Sequence, residues 1–258
     1  MSEIWITGDI HGNPSPRLSN TFFPQQKKFE ETQEDNVLIV SGDFGLIWDK
    51  DGESHSESYW LDWLEDKKFT TVFVDGNHDN HPRIYKYPVK DWNGGKVHEI
   101  RPHVLHLIRG EVYTIFGKKF FAFGGASSHD IQDGILDFED PYWKQKATEM
   151  DRQEKMMYRI KGLSWWSEEL PTEEEMRHGI EKLQENNNTV DYVITHSPCA
   201  SIVALLGKGL YEQDVLTKYL EDIRQRINYK RWYFGHMHIE RAVNDKDIGI
   251  YEVVERIM

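Results

Sequence analysis

Short apolar runs, each breaking off into a polar cluster, punctuate the chain: "IWIT" (4–7), "VLIVSG" (37–42), "TVFVDG" (71–76), "YVITH" (192–196) and "RWYFGH" (231–236). All are rich in β-branched or aromatic residues, which predicts buried strands. Between them the apolar spacing becomes helical. Thr172 and Glu175, just after Pro171, stand at capping-box spacing, and Met176, Ile180 and Leu183 then recur on one face. Leu216, Tyr219, Leu220, Ile223 and Ile227 make a second such stripe. Strands alternating with helices predict a layered α/β fold.

The middle of the chain departs from this rhythm. "VLHLIRGEVYTIFGKKFFAFGG" (104–125) predicts consecutive strands joined by short turns, and "IERAVNDKDIGIYEVVE" predicts a hairpin turning near Asn244 to Asp247. Hairpins added to strand–helix–strand units imply mixed sheets. Residues from about 126 to 170 lack clean strand periodicity and are rich in Asp, Glu, Trp and Met. A stretch of that length reads either as a cap or lid or as a surface excursion. No repeat or low-complexity linker divides the chain, so one domain over 1–258 with an insertion at about 126–170 is expected.

Composition narrows the class. Apolar residues make up 38% and aromatics 13%, enough for a core, which excludes a disordered chain. No apolar run approaches the roughly 18 residues of a bilayer span. The opening "MSEIWITGD" has no leader pattern, and Cys199 is the single cysteine, so a reducing, cytoplasmic setting is expected. The net charge of −13 argues against long nucleic acids and anionic membranes as partners. It does not argue against a small phosphorylated substrate, because bound cations reverse the sign locally. No pattern in the chain speaks to its oligomeric state.

The strand ends carry the chemistry. Asp9 and His11 follow the first run in "GDIHG", Asp43 the second in "GDFG", and Asn77, His78 and Asp79 the third in "GNHD". His196 follows the fourth in "THSP", and His236 and His238 the fifth in "GHMH". Taken alone, each is more readily a turn than a ligand. In open α/β sheets, however, the carboxyl ends of the strands share one edge, so these side chains should converge. Imidazole, carboxylate and amide donors without thiolate suit Mn²⁺, Fe, Zn²⁺ or Ni²⁺.

The ordered set "GDIHG … GDFG … GNHD … TH … GHMH", spanning residues 8 to 238, resembles the calcineurin-like metallophosphoesterase superfamily. The resemblance implies a four-layer α-β-β-α sandwich with two mixed sheets and two divalent metal ions at the strand ends, Mn²⁺ ahead of Fe, Zn²⁺ and Ni²⁺. By motif position, Asp9, His11 and His238 would hold the first ion, and Asn77, His196 and His236 the second, with Asp43 bridging both. It implies hydrolysis of small phosphate mono- or diesters, nucleotides among them, through a metal-bridging hydroxide. His78 would be the general acid and Asp79 its orienting neighbour. The segment "GGASSHDI … YRIKGLSWWSEELPTEEE" also resembles a recurrent stretch of uncharacterised bacterial metallophosphoesterases.

Departures from the family pattern matter. In "GDFGLIW", Leu46 and Ile47 stand where protein phosphatases carry the second Asp and the Arg of "GDxxDRG", which argues against phosphoprotein substrates. A phosphate clamp would then fall to Arg17 or Arg83, each equally readable as a solvated arginine. Ser127, Ser128, His129 and Asp130 either line the cleft, with His129 a candidate substrate contact, or form a polar turn. Trp165 and Trp166 read more readily as packing than as a stacking platform. His81 reads as loop, and His55, His98, His103, His106 and His178 as structural or surface residues. Two other functions stand beside the leading one: a nucleotide phosphodiesterase or nuclease, and a non-catalytic scaffold. The filled ligand positions count against the scaffold.

Overall fold

Both faces of the early strands are buried. In the computed structural model, which describes residues 2–31, 35–208 and 211–258, Ile4 and Ile6 point one way and Trp5 the other. Side chains alternate with a period of two along a strand. A strand covered on both faces therefore reads as a continuous apolar run, as the first motif segments do.

The strands are β1 (Ile4–Thr7), β2 (Val37–Val40), β3 (Thr70–Phe73), β4 (Val89–Trp92), β5 (Gly95–Arg101), β6 (Val104–Leu107), β7 (Val112–Ile115) and β8 (Lys118–Phe123). They continue as β9 (Gly134–Asp137), β10 (Tyr158–Lys161), β11 (Tyr192–Thr195), β12 (Arg231–Phe234), β13 (Arg241–Ala242), β14 (Asp247–Gly249) and β15 (Glu255–Arg256). One sheet runs β15-β1-β2-β3-β6-β5-β4 and the other β13-β14-β12-β11-β8-β7. The inner strands pair in parallel, β1 to β2, β3 and β6 in one sheet and β8 to β11, β12 and β14 in the other. Antiparallel strands flank them, so both sheets are mixed as expected.

Three apolar layers hold the sheets and helices together. Ile4, Ile6, Val37 and Ile39 of the first sheet meet Tyr113, Phe120, Ala122, Ile194 and Tyr233 of the second. The outer face of the first sheet, with Trp5, Leu38, Val40 and Phe73, packs on Leu18, Phe29, Leu61 and Leu64. Phe121, Val193, Trp232 and Phe234 on the far side take Leu183, Leu216, Leu220 and Ile223. The result is the α-β-β-α order. The predicted helix start holds, with Thr172 and Glu175 closing a capping box on the helix Glu173–Glu185, and Ser54 and Glu57 close another on His55–Glu65.

Two stretches differ from the sequence reading. β6 and β7 are consecutive but lie in different sheets, so the turn between them is a crossing and only β7–β8 is a hairpin. Gly110 makes the crossing possible, at φ 85° and packed so closely on Gly179 that a Cβ would lie 2.8 Å from its Cα. Within 126–170, β9 and β10 form a small parallel sheet bridged by the helix Trp143–Arg152. Both strands are half-buried or exposed along much of their length, which blurs the periodicity. Among the described residues no helix is long and apolar enough to cross a membrane.

Candidate metal centre

At the carboxyl ends of β1, β2, β3, β11 and β12 the chain turns sharply, and glycine makes the room. A Cβ on Gly76 would lie 2.1 Å from Asp43 Oδ1, and one on Gly235 2.2 Å from Asp9 Oδ1. That is the physical content of the repeated glycine–polar pairs. The turns also force non-glycine residues into the left-handed region: His11 (φ 46°), Asp43 (43°), His236 (61°) and His238 (46°).

These turns bring the predicted donors together. Ligand atoms of Asp9, His11 and His238 lie within 4.8 Å of one another, as do those of Asp9, Asp43 and His196, and those of His11, Asp43 and His78. His238 Nε2 is 3.1 Å from Asp9 Oδ2 and 3.3 Å from His11 Nε2. His196 Nδ1 lies 2.9 Å from the Ser41 carbonyl, to which it must donate. Its Nε2 therefore faces inward, 3.2 Å from Asp43 Oδ1 and 3.4 Å from Asn77 Oδ1. A backbone carbonyl fixing the imidazole tautomer in this way is the usual support of a metal-binding histidine. His236 lies outside the three donor groups; its ring centroid is 5.0 Å from that of His196, and its Nε2 is 2.8 Å from His129 Nε2.

The electrostatics fit a cation. Asp9 and Asp43 are buried, and among the described residues their ion-pair partners are the imidazoles of His11, His196 and His238. Burial opposes a charge on His196, yet Asp43 and Asp9 outweigh it and lift the imidazole to about 10. Burial likewise opposes the Asp43 charge, and His196 more than reverses this, drawing the carboxyl well below its ordinary range. Buried carboxylates that hold a proton on a neighbouring imidazole form an environment in which a divalent cation would take that proton's place.

Other candidates sort clearly. Asp79 does not sit beside the His78 imidazole as expected. Its carboxylate accepts from the backbone N–H groups of Phe44 (3.2 Å), Gly45 (2.8 Å) and Gly76 (2.8 Å), tying the second and third motif turns together. Burial and the nearby Asp43 push this carboxyl up to about 7. What meets His78 is Arg159, whose Nη2 donates to Nε2 at 2.9 Å, while Trp48 stacks on the ring (5.7 Å, 21°). Burial lowers the imidazole to about 4, against the pull of Asp43. His81 is no loop residue: it is fully buried, 3.2 Å from Asp75, which also binds His106 (3.0 Å) and Arg109.

Of the two expected clamps, Arg83 is committed elsewhere. It is buried, with Nη1 on Glu57 (2.9 and 3.0 Å) and on the Asp49 carbonyl (2.7 Å). Glu57 in turn accepts from the Trp48 and Asp49 N–H groups, so the pair pins the loop after β2. Arg83→Ala should therefore cost about 3–5 kcal/mol of stability in urea unfolding, with KM unchanged in the folded fraction. A raised KM at full stability would return Arg83 to the substrate. Arg17 stays near the centre, its guanidinium 5.0 Å above the Tyr251 ring, which stacks on His238 at 4.2 Å. His129 borders the centre through His236, and Trp166 packs edge-on against Trp48. Burial pushes the Cys199 thiol up to about 11, which makes a nucleophile there unfavourable.

A cavity of ≈ 280 Å³ opens over His11 and His78, walled by Leu46 and Trp48. Sequence reasoning missed Arg159 and Asp75. The one signal for Arg159 is a cation flanked by Tyr158 and Ile160 in a short strand.

The family model for calcineurin-like phosphoesterase matches residues 2–240, which takes in every donor named above. Two solved structures resemble the chain at low identity. 5'-nucleotidase from Candida albicans SC5314 is 15% identical, with 97% of this chain and 45% of that one covered and a TM-score of 0.44. Sulfate thiohydrolase SoxB from Thermus thermophilus is 11% identical, with 99% and 53% covered and a TM-score of 0.42. The chain spans about half the length of these structures. No curated protein matches it.

Proposed function

The chain belongs to the calcineurin-like phosphoesterase family, and from that premise we propose that it is a metal-dependent hydrolase of small phosphate mono- or diesters. The observation that carries this reading is the convergence of donors from five strand ends around Asp9 and Asp43. In the proposal Asp9, His11 and His238 hold one divalent cation and Asn77, His196 and His236 a second. Asp43, with two oxygens and a place in two donor groups, stands between them. The thiolate-free donor set supports Mn²⁺ first, then Fe, Zn²⁺ or Ni²⁺. Such a pair, when bound, supplies Lewis acidity toward phosphoryl oxygens and lowers the pKa of water.

The rest falls to the side chains. His78 delivers a proton to the leaving alkoxide, held in place by Trp48 stacked on its ring. Asp79 fixes the two motif turns and with them the spacing of Asp43 and Asn77. Residues 126–170 act as a cap within a single domain, supported by the reach of Arg159 from β10 to His78. The small cavity above His11 and His78 supports a compact leaving group over a long polymer.

Protein loaded separately with Mn²⁺, Ni²⁺, Zn²⁺ and Mg²⁺ should be assayed on p-nitrophenyl phosphate, bis-p-nitrophenyl phosphate and 2′,3′-cyclic nucleotides. Turnover of at least one ester, dependent on added metal, is expected. No turnover in any metal form would overturn the reading, and a preference for the cyclic nucleotides would favour the phosphodiesterase alternative.

A further inference from the structure

Arg159 is 4% exposed and enters the centre from β10, far along the chain from the residues it meets. Most of its guanidinium is already engaged. Nε faces Asp130 Oδ1 at 2.6 Å, and Nη1 donates to the carbonyls of Asn77 (3.0 Å) and Ser164 (3.2 Å). Nη2 is the edge turned to the centre, where it donates to His78 Nε2 at 2.9 Å. A guanidinium has no acceptor. The bond therefore uses the Nε2 lone pair, and that nitrogen cannot also present a proton to a leaving group.

We propose that Arg159 is a phosphate-binding residue: an incoming phosphate ester takes the Nη2 edge in place of His78 Nε2, whose lone pair is then free to take up a proton from water. The inference rests on the hydrolase reading above for its substrate, but not for its geometry. The exchange runs in the favourable direction. The cationic donor exchanges a neutral imidazole acceptor for an anionic phosphate oxygen, which strengthens the bond. Because Asp130, Asn77 and Ser164 already hold the side chain, little conformational entropy is lost on binding. The imidazole is the fixed partner, stacked on Trp48, which Trp166 backs edge-on at 5.1 Å. The loop bearing Asp130 is itself anchored, with Ser128 bonded twice to Glu169 (2.9 and 2.5 Å).

Inorganic phosphate is the probe, titrated calorimetrically into metal-loaded wild type, Arg159→Gln and Arg159→Lys, with metal content and melting temperature measured on each sample. Phosphate affinity should fall about 10- to 100-fold in Arg159→Gln, the loss of one charged hydrogen bond, and by less in Arg159→Lys. KM for p-nitrophenyl phosphate should rise in step while bound metal is unchanged. Wild-type phosphate affinity in either folded variant would overturn the proposal. If Arg159→Gln does not fold, Arg159→Lys decides, because a merely structural arginine would change melting and leave phosphate affinity alone. A wild type that binds phosphate through Arg159 but turns over no ester would remove the hydrolase reading and leave this one standing.

Discussion

Replacing Asp43 with asparagine is expected to abolish phosphoester hydrolysis and to strip the centre of tightly held metal. Asp43 belongs to two of the three donor groups, one with Asp9 and His196 and one with His11 and His78. The amide keeps the shape and removes the charge. Cations at such a centre contribute several kcal/mol to the transition state, and each 1.36 kcal/mol is tenfold in rate, so a loss on the order of 10³-fold or more is expected. Chelation of the wild type should reproduce that loss and lower its melting temperature, because an ion that binds only the folded chain stabilises it. Chelation should leave the melting of Asp43→Asn nearly unmoved. Full metal content together with near-wild-type turnover in the variant would refute the assignment.

The second large effect is at His78. His78→Ala should lower kcat about 10²–10⁴-fold, the range for a general acid, and should do so least for p-nitrophenol, which needs little protonation to leave. Metal content should stay at the wild-type level. The main-chain N–H of residue 78, which donates to Asp43 Oδ1 at 2.8 Å, survives the substitution, so the carboxylate keeps its support. The geometry makes this a sharp test. His78 also lies within ligand distance of His11 and Asp43, and a variant that loses metal along with activity would make it a ligand and not an acid.

Much of this was legible in the sequence because the information is local. A buried strand betrays itself by an apolar run, and four of the five runs end in glycine followed by a polar residue, the other in Thr195 and His196; together they locate the strand ends where the candidate donors sit. Adjacency in sequence proved a poor guide to adjacency within a turn. Asp79 follows His78 directly, yet its carboxylate points to the backbone of Phe44, Gly45 and Gly76, and His81 turns inward to Asp75. Successive side chains in a tight turn diverge, so neighbours along the chain face different surroundings. Arg159 had little local mark beyond a cation flanked by Tyr158 and Ile160. Its partners are Asn77 and His78, and only the packing of the 126–170 segment brings them together. The switch of sheets between β6 and β7 was hidden for a similar reason: a short turn looks the same whether the chain folds back or crosses over.

The left-handed turns at His11, Asp43, His236 and His238 set a limit on improving this protein by selection. A side chain held in that region costs about 1–2 kcal/mol relative to ordinary backbone, a penalty glycine does not carry. In metal-free protein, selection for heat resistance should therefore drift toward glycine at these four positions, removing four of the proposed donors one at a time; bound metal reverses the sign, because losing a donor then forfeits the stabilisation by the ion. Library methods that rank metal-free variants by melting temperature would favour the loss of function they are meant to protect. Screens on this chain should score metal retention alongside melting from the first round.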